Sequence, residues 1–68
     1  MRYEIFNDNH QWEQTNQKTF EYYLKEFGDR VGLENGQIID KGYQVKPEYV
    51  FDVYNPQGFL VAKKEYAK

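Results

Sequence analysis

Two asparagine–glycine turns in the second half of the chain, Asn35-Gly36 and Asn55-Pro56-Gln57-Gly58, constrain its fold more than any other feature. Each joins runs rich in β-branched and aromatic residues. Val31 and Leu33 lead into Ile38 and Ile39, and Tyr49 to Tyr54 leads into Phe59 to Tyr66. Asn-Gly favours a type I′ hairpin, which needs positive φ at both central residues. Asn-Pro-Gln-Gly suits a type I turn with its glycine in a bulge position. A lone hairpin is marginal in water, so these strands must gather into one sheet and bury a face of it.

One helix is available to cover that face. Phe20, Tyr23, Leu24 and Phe27 recur at i, i+3, i+4 and i+7, a single apolar stripe. Gly28 follows at once and suits a left-handed C-terminal cap. Thr15 or Asn16 can start the helix; Asp8 or Asn9 would start a longer one with Trp12 flanking the stripe. Ahead of it, Tyr3 and Ile5 alternate with Arg2 and Glu4 as in a strand, and Asn7-Asp8-Asn9 marks a turn. Lys41-Gly42 suggests a bend, after which Tyr43 and Val45 continue as strand until Pro47. The expected fold is α+β, a single small domain over residues 1–68. One amphipathic helix packs on one face of a four- to five-stranded, mainly antiparallel sheet, in the order β-α-β-β-β-β. An all-β barrel with a short helical insert is the alternative.

The chemistry open to this chain is narrow. Its 68 residues make one small core. It has no cysteine and no serine, so disulfides, thiolate metal sites and cysteine or serine nucleophiles are excluded. The only histidine, His10, lies near Asp8 and Glu13, but in a turn segment that offers no fixed ligand geometry. Glu48 and Asp52, read as one strand, would stand about 13 Å apart, too far to share a proton. Gly28, Gly32 and Gly36 are spaced by four but separated by charged and polar residues, and no phosphate loop is present. A non-enzymatic protein without cofactor or metal is therefore expected.

The longest apolar run, Phe59-Leu60-Val61-Ala62, falls far short of the roughly 20 residues of a membrane span, and no signal peptide is apparent. A soluble, cytoplasmic protein is expected. Lysine over arginine, 5 asparagines and 2 alanines suit AT-rich coding, as in a low-GC bacterium or its phage.

The final hairpin carries the functional expectation. With Asn55 opposite Phe59, Tyr54 faces Leu60, Val53 faces Val61 and Asp52 faces Ala62. Tyr49, Phe51, Val53, Phe59 and Val61 then form the core face. The opposite face carries Val50, Asp52, Tyr54, Leu60, Ala62 and Lys64, too apolar for a solvated sheet surface, with Asp52 and Lys64 as a diagonal ion pair. Either another segment of the chain covers it, or it meets a protein partner or a second copy of the chain, centred on Tyr54 and Leu60. Tyr22, about 150° from the centre of the helical stripe, points outward and joins the candidate partner-binding residues. Net charge is −2, from 9 basic and 11 acidic residues, which disfavours generic nucleic-acid binding. A single-stranded nucleic-acid binder using Tyr43, Tyr54 and Tyr66 with Lys63 and Lys64 is the second reading. The first is a small protein-interaction module, a regulator or inhibitor of a partner protein that is able to dimerise.

Overall fold

The computed structural model describes residues 1–67. Its strands are β1 (Arg2–Phe6), β2 (Trp12–Thr15), β3 (Arg30–Leu33), β4 (Ile38–Asp40), β5 (Val50–Tyr54) and β6 (Leu60–Glu65), with one helix, α1 (Gln17–Phe27). The strands form one antiparallel sheet in the order β2-β1-β6-β5-β3-β4. Three pairs are hairpins local in sequence. The β1–β6 pairing brings the first and last strands side by side in the middle of the sheet.

The α+β architecture is as expected, but the sheet has six strands. β2 is the addition. It carries one large apolar residue, Trp12, so its alternation is too weak to mark a strand. It pairs with β1 through a turn at Asn7–Gln11, and the longer helix starting at Asp8 or Asn9 does not form. The Asn7 side chain accepts from the backbone N–H groups of Asn9 and Gln11, and His10 takes the left-handed position, φ 59°.

The same construction recurs in the other two hairpins. Gly36 N–H donates to Leu33 O, and Gly58 N–H to Asn55 O; both glycines have positive φ. At Asn55–Gly58 this is the expected type I turn and bulge. At Asn35-Gly36 it replaces the expected type I′ turn: Asn35 keeps negative φ and its side chain accepts from Gln37 N–H. The loop is three residues, not two.

Asn16 caps α1, its side chain accepting from Thr19 N–H at 2.9 Å. Phe20 and Leu24 are each 1% exposed, Tyr23 is half-buried, and Phe27 at the end of the stripe is exposed. Gly28 is not left-handed; its φ is −74°. Glycine is needed there because a Cβ would collide with the Leu24 carbonyl and crowd Val53.

The core is one row of side chains running across the sheet. Ile5 lies opposite Ala62, Ala62 opposite Val53, Val53 opposite Val31, and Val31 opposite Ile39. Phe20 and Leu24 cover this row. The expected strand at Tyr43 and Val45 is instead two 3₁₀ turns, Gly42–Gln44 and Pro47–Tyr49. They lie on the helix side, with Gly42 so close to Val31 that no side chain fits between them.

Candidate functional site

The two faces of the sheet are sorted by a bulge in β6. Tyr54 faces Leu60 as expected, but the next pair is Val53 with Ala62, which leaves Val61 as an extra residue. Side chains alternate with period two, so one inserted residue moves everything after it to the other face. Ala62 and Lys64 therefore turn inward, and Lys63 turns outward opposite Asp52. A second irregularity, opposite the Gly32–Leu33 step of β3, leaves Phe51 without a partner there and puts Val50 in the core at 0% exposure.

These shifts redistribute the expected partner-binding residues. Asp52, Tyr54 and Leu60 stand on the face away from the helix. Val50, Ala62 and Lys64 are corrected to the core face. The expected core residues also change: Val53 is buried and Val61 packs against the core, but Tyr49 and Phe59 are exposed at 59% and 70%. Tyr22 is exposed on α1, on the helix side, edge-on to Tyr23 and Phe27.

The open face consists of transverse rows. At the hairpin-tip end, Trp12 faces Phe6, Leu60 faces Tyr54, Tyr54 faces Arg30, and Arg30 faces Asp40. Behind it, Gln14, Glu4, Lys63, Asp52, Gly32 and Ile38 are successive neighbours across all six strands. The helix and both 3₁₀ turns lie on the other side, so no helical element among the described residues covers this surface.

Local contacts pre-arrange the tip end. The Phe6 ring tilts against both Trp12 and His10, with centroids 5.4 and 5.9 Å away. Lys63 extends over the Trp12 ring, its ammonium 4.6 Å from the centroid. Phe6, Trp12, Leu60 and exposed Phe59 wall an open groove of about 660 Å³ between the β1–β2 and β5–β6 tips. Phe6 and Trp12 were not among the expected site residues, and Lys63 was expected only for nucleic-acid binding. The signal for Phe6 and Trp12 is the similarity of Asn7–His10 to Asn55–Gly58, which identifies a first hairpin and so places Trp12 opposite Phe6.

Asp52 is the strained charge on this face. Its carboxyl lies over Gly32, where burial pushes it above the usual carboxylate range, and Lys63 opposes that only in part. The folded state thus holds the Asp52 proton more tightly than the unfolded chain. The resulting stability is complete below the ordinary aspartate pKa and is lost as pH rises through the folded value. Asp52→Asn should therefore melt at a higher temperature than the natural protein at pH 7 and show little difference near pH 3. Thermal melts at the two pH values check this.

Lys64 is the group most altered by the corrected register. It is 7% exposed, and its ammonium donates to the carbonyls of Pro47 and Glu48, 3.0 Å each. Its pairing with Asp52 does not occur, and it is unavailable to a phosphate. Lys63, half-buried on the open face, is the remaining member of the basic cluster; Lys68 lies outside the described residues.

Among the described residues, no group of three or more His, Cys, Asp or Glu side chains is placed to hold a metal ion, and no helix is long and apolar enough to cross a membrane. Glu13 turns to the side of the sheet opposite Trp12 and accepts from the Asn7 side chain. Comparison with protein-family models, curated proteins and solved structures returns no match. The reading of function therefore rests on geometry and chemistry alone.

Proposed function

We propose that this protein is a small, non-enzymatic interaction module that regulates or inhibits a protein partner through the open face of its sheet. The observation that carries the reading is the aromatic and aliphatic row Trp12, Phe6, Leu60 and Tyr54, outside the layer packed under the helix. Large, rigid aromatic side chains around an aliphatic centre are the composition of interface hot spots. Flanking charges of both signs, Glu4, Lys63, Asp52 and Arg30, suit a polar rim. A second copy of the chain is one candidate partner, since a short chain without disulfides gains stability by association. The composition suits a bacterial or phage cytoplasm as the setting.

Nucleic-acid binding is the weaker reading. It called on both Lys63 and Lys64 near the sheet tyrosines, and Lys64 lies on the core face with its ammonium held by carbonyls. Without it the face has no basic track to follow a phosphate backbone.

The test is the double variant Tyr54→Lys/Leu60→Lys. It should keep its circular dichroism spectrum. Affinity capture from the native host, followed by mass spectrometry, should lose the partner recovered with the natural protein, or sedimentation should show loss of a dimer. Unchanged capture and unchanged sedimentation would reject this face as the interface. Binding of an oligonucleotide at about 50 mM salt, lost in Lys63→Glu, would favour the second reading instead.

A further inference from the structure

A second groove, on the helix side of the same hairpin tips, has a distinct chemistry. It is open, about 430 Å³ in volume, and lies between the C-terminal turn of α1 and the β5–β6 turn. Tyr23, Phe27, Pro56 and Val61 supply apolar lining, and Asp8, Glu26 and Asp29 supply three carboxylates. No lysine or arginine lines it. Lys25, the basic residue in the last turn of α1, is exposed and does not line the groove. Two other nearby cations among the described residues are directed elsewhere. Arg30 pairs with Asp40 at 3.2 Å, and Lys63 lies over Trp12 on the open face. None of the three groove carboxylates takes part in the ion pairs of the described residues, which join Arg2 to Glu4 and Glu65, and Arg30 to Asp40.

The C-terminal end of α1 adds to the negative potential: its last turn directs carbonyl ends toward this side of the fold, the negative pole of the helix. The Tyr23 hydroxyl is held above the ordinary tyrosine range, first by burial and then by the charges of Asp8 and Glu13. Aromatic rings stand beside these charges: half-buried Tyr23 and exposed Tyr22 and Phe27 form an edge-to-face trio with centroids 5.2 to 6.2 Å apart.

We infer that this groove receives an arginine side chain from a partner protein. A guanidinium is the group that satisfies both halves of the lining at once. Its plane stacks on a tyrosine or phenylalanine ring while its N–H fork reaches carboxylates at the rim. A compact, strongly hydrated lysine ammonium meets the carboxylates but makes less of the rings. An anionic ligand such as a nucleic acid is repelled. The groove shares Phe6, Asp8, Asn55 and Val61 with the groove on the open face, but Tyr54 and Leu60, the centre of the proposed interface, do not line it, so the two readings can be tested apart.

The probe is an acetylated, amidated Gly-Arg-Gly-Arg-Gly peptide, titrated into the ¹⁵N-labelled protein and followed by NMR. Amide shifts are expected to concentrate at Glu26 to Asp29 and at Asn55 and Gln57. The citrulline counterpart, which keeps the shape and removes the charge, should bind at least tenfold more weakly. So should the double variant Asp8→Asn/Glu26→Gln, whose substitutions are exposed and leave the core intact. Tyr54→Lys/Leu60→Lys should bind the peptide like the natural protein. Equal binding of the citrulline peptide, shifts centred on the open face, or no shifts at 10 mM peptide (~10 mM is the weak end of useful recognition) would each overturn the assignment.

Discussion

Phe20→Ala should destabilise the fold by about 3–5 kcal/mol. Phe20 is 1% exposed at the centre of the helix–sheet contact, with its ring 5.5 Å from that of Tyr3 and the Lys64 ammonium 5.7 Å from its centroid. Truncating a buried phenylalanine costs about 3–5 kcal/mol, from lost transfer energy and the cavity left behind. A chain of this length has a total stability of roughly 3–10 kcal/mol. One substitution therefore removes a third of the stability at least, and all of it at the lower end. Neighbouring shape offers little relief. The core row Ile5, Ala62, Val53 and Val31 is held in register by strands on both sides and cannot collapse into the space. Lys18→Ala, on the exposed side of the same helix, should change stability by less than ~0.5 kcal/mol. Urea unfolding followed by circular dichroism distinguishes the two, and a Phe20→Ala variant as stable as Lys18→Ala would contradict the packing described.

Lys64→Ala is expected to have the next largest effect, about 3 kcal/mol, from two charge-assisted hydrogen bonds worth ~1.5–3 kcal/mol each, partly offset by relief of a buried charge. Its ammonium ties the Pro47–Tyr49 turn to β6 through the carbonyls of Pro47 and Glu48, and lies over the rings of Phe20 and Phe51, 5.7 and 5.0 Å from their centroids. Lys64→Met keeps the stem and loses only the charged contacts, so it should lie between Lys64→Ala and the natural protein. Hydrogen exchange should show the amides of Tyr49 and Val50, which donate to the carbonyls of Lys46 and Pro47, losing protection in both variants before the rest of the sheet does. Protection unchanged at those amides would remove Lys64 as the anchor of the segment.

The same lysine imposes a pH dependence with a definite sign. Burial holds the ammonium below the ordinary lysine range, against weaker opposing effects of Glu21 and Glu48. The unfolded chain therefore binds this proton more tightly than the folded one. Keeping the buried ammonium charged offsets part of what its hydrogen bonds contribute at neutral pH, and that cost is relieved as pH rises through the folded pKa, fully so above the unfolded value. Tyr23 and Tyr66, both held above the ordinary tyrosine range, run the other way: their stability is lost as pH rises through their folded values. The lysine contribution is accordingly read as a difference. The gap between Lys64→Met and the natural protein should widen in favour of the natural protein between neutral pH and the ordinary lysine pKa.

Much of the candidate site lay within reach of sequence reasoning, and particular residues show where that reach ended. Tyr54 opposite Leu60 followed from the Asn55–Gly58 turn, because turn type sets the first pair of a hairpin. The pairs beyond it did not follow. A bulge leaves no mark in composition: Val61 and Ala62 are equally acceptable at the inward position, and only the competition among β1, β5 and α1 for β6 decides which of them turns inward. Trp12 was ambiguous for a related reason. A four-residue edge strand with one large apolar residue has little periodicity of its own, and pairing with β1 makes it a strand.

The features legible along the chain are therefore local: a helix with Phe20 and Leu24 facing inward, its start left open among Thr15, Asn16, Asp8 and Asn9, and turns at Asn35-Gly36 and Asn55–Gly58 that make the second half antiparallel β. These depend on capping hydrogen bonds, turn geometry and a 3.6-residue period, all set by neighbours along the chain. The tertiary structure alone decided which face each residue of β5 and β6 presents, that Lys64 is buried and Lys63 is not, and that an aromatic row and an acidic groove meet at the same hairpin tips. A side chain's face in a sheet has period two, so a single unpaired residue reverses it. That residue is placed by contacts between strands far apart in sequence, which no local pattern records.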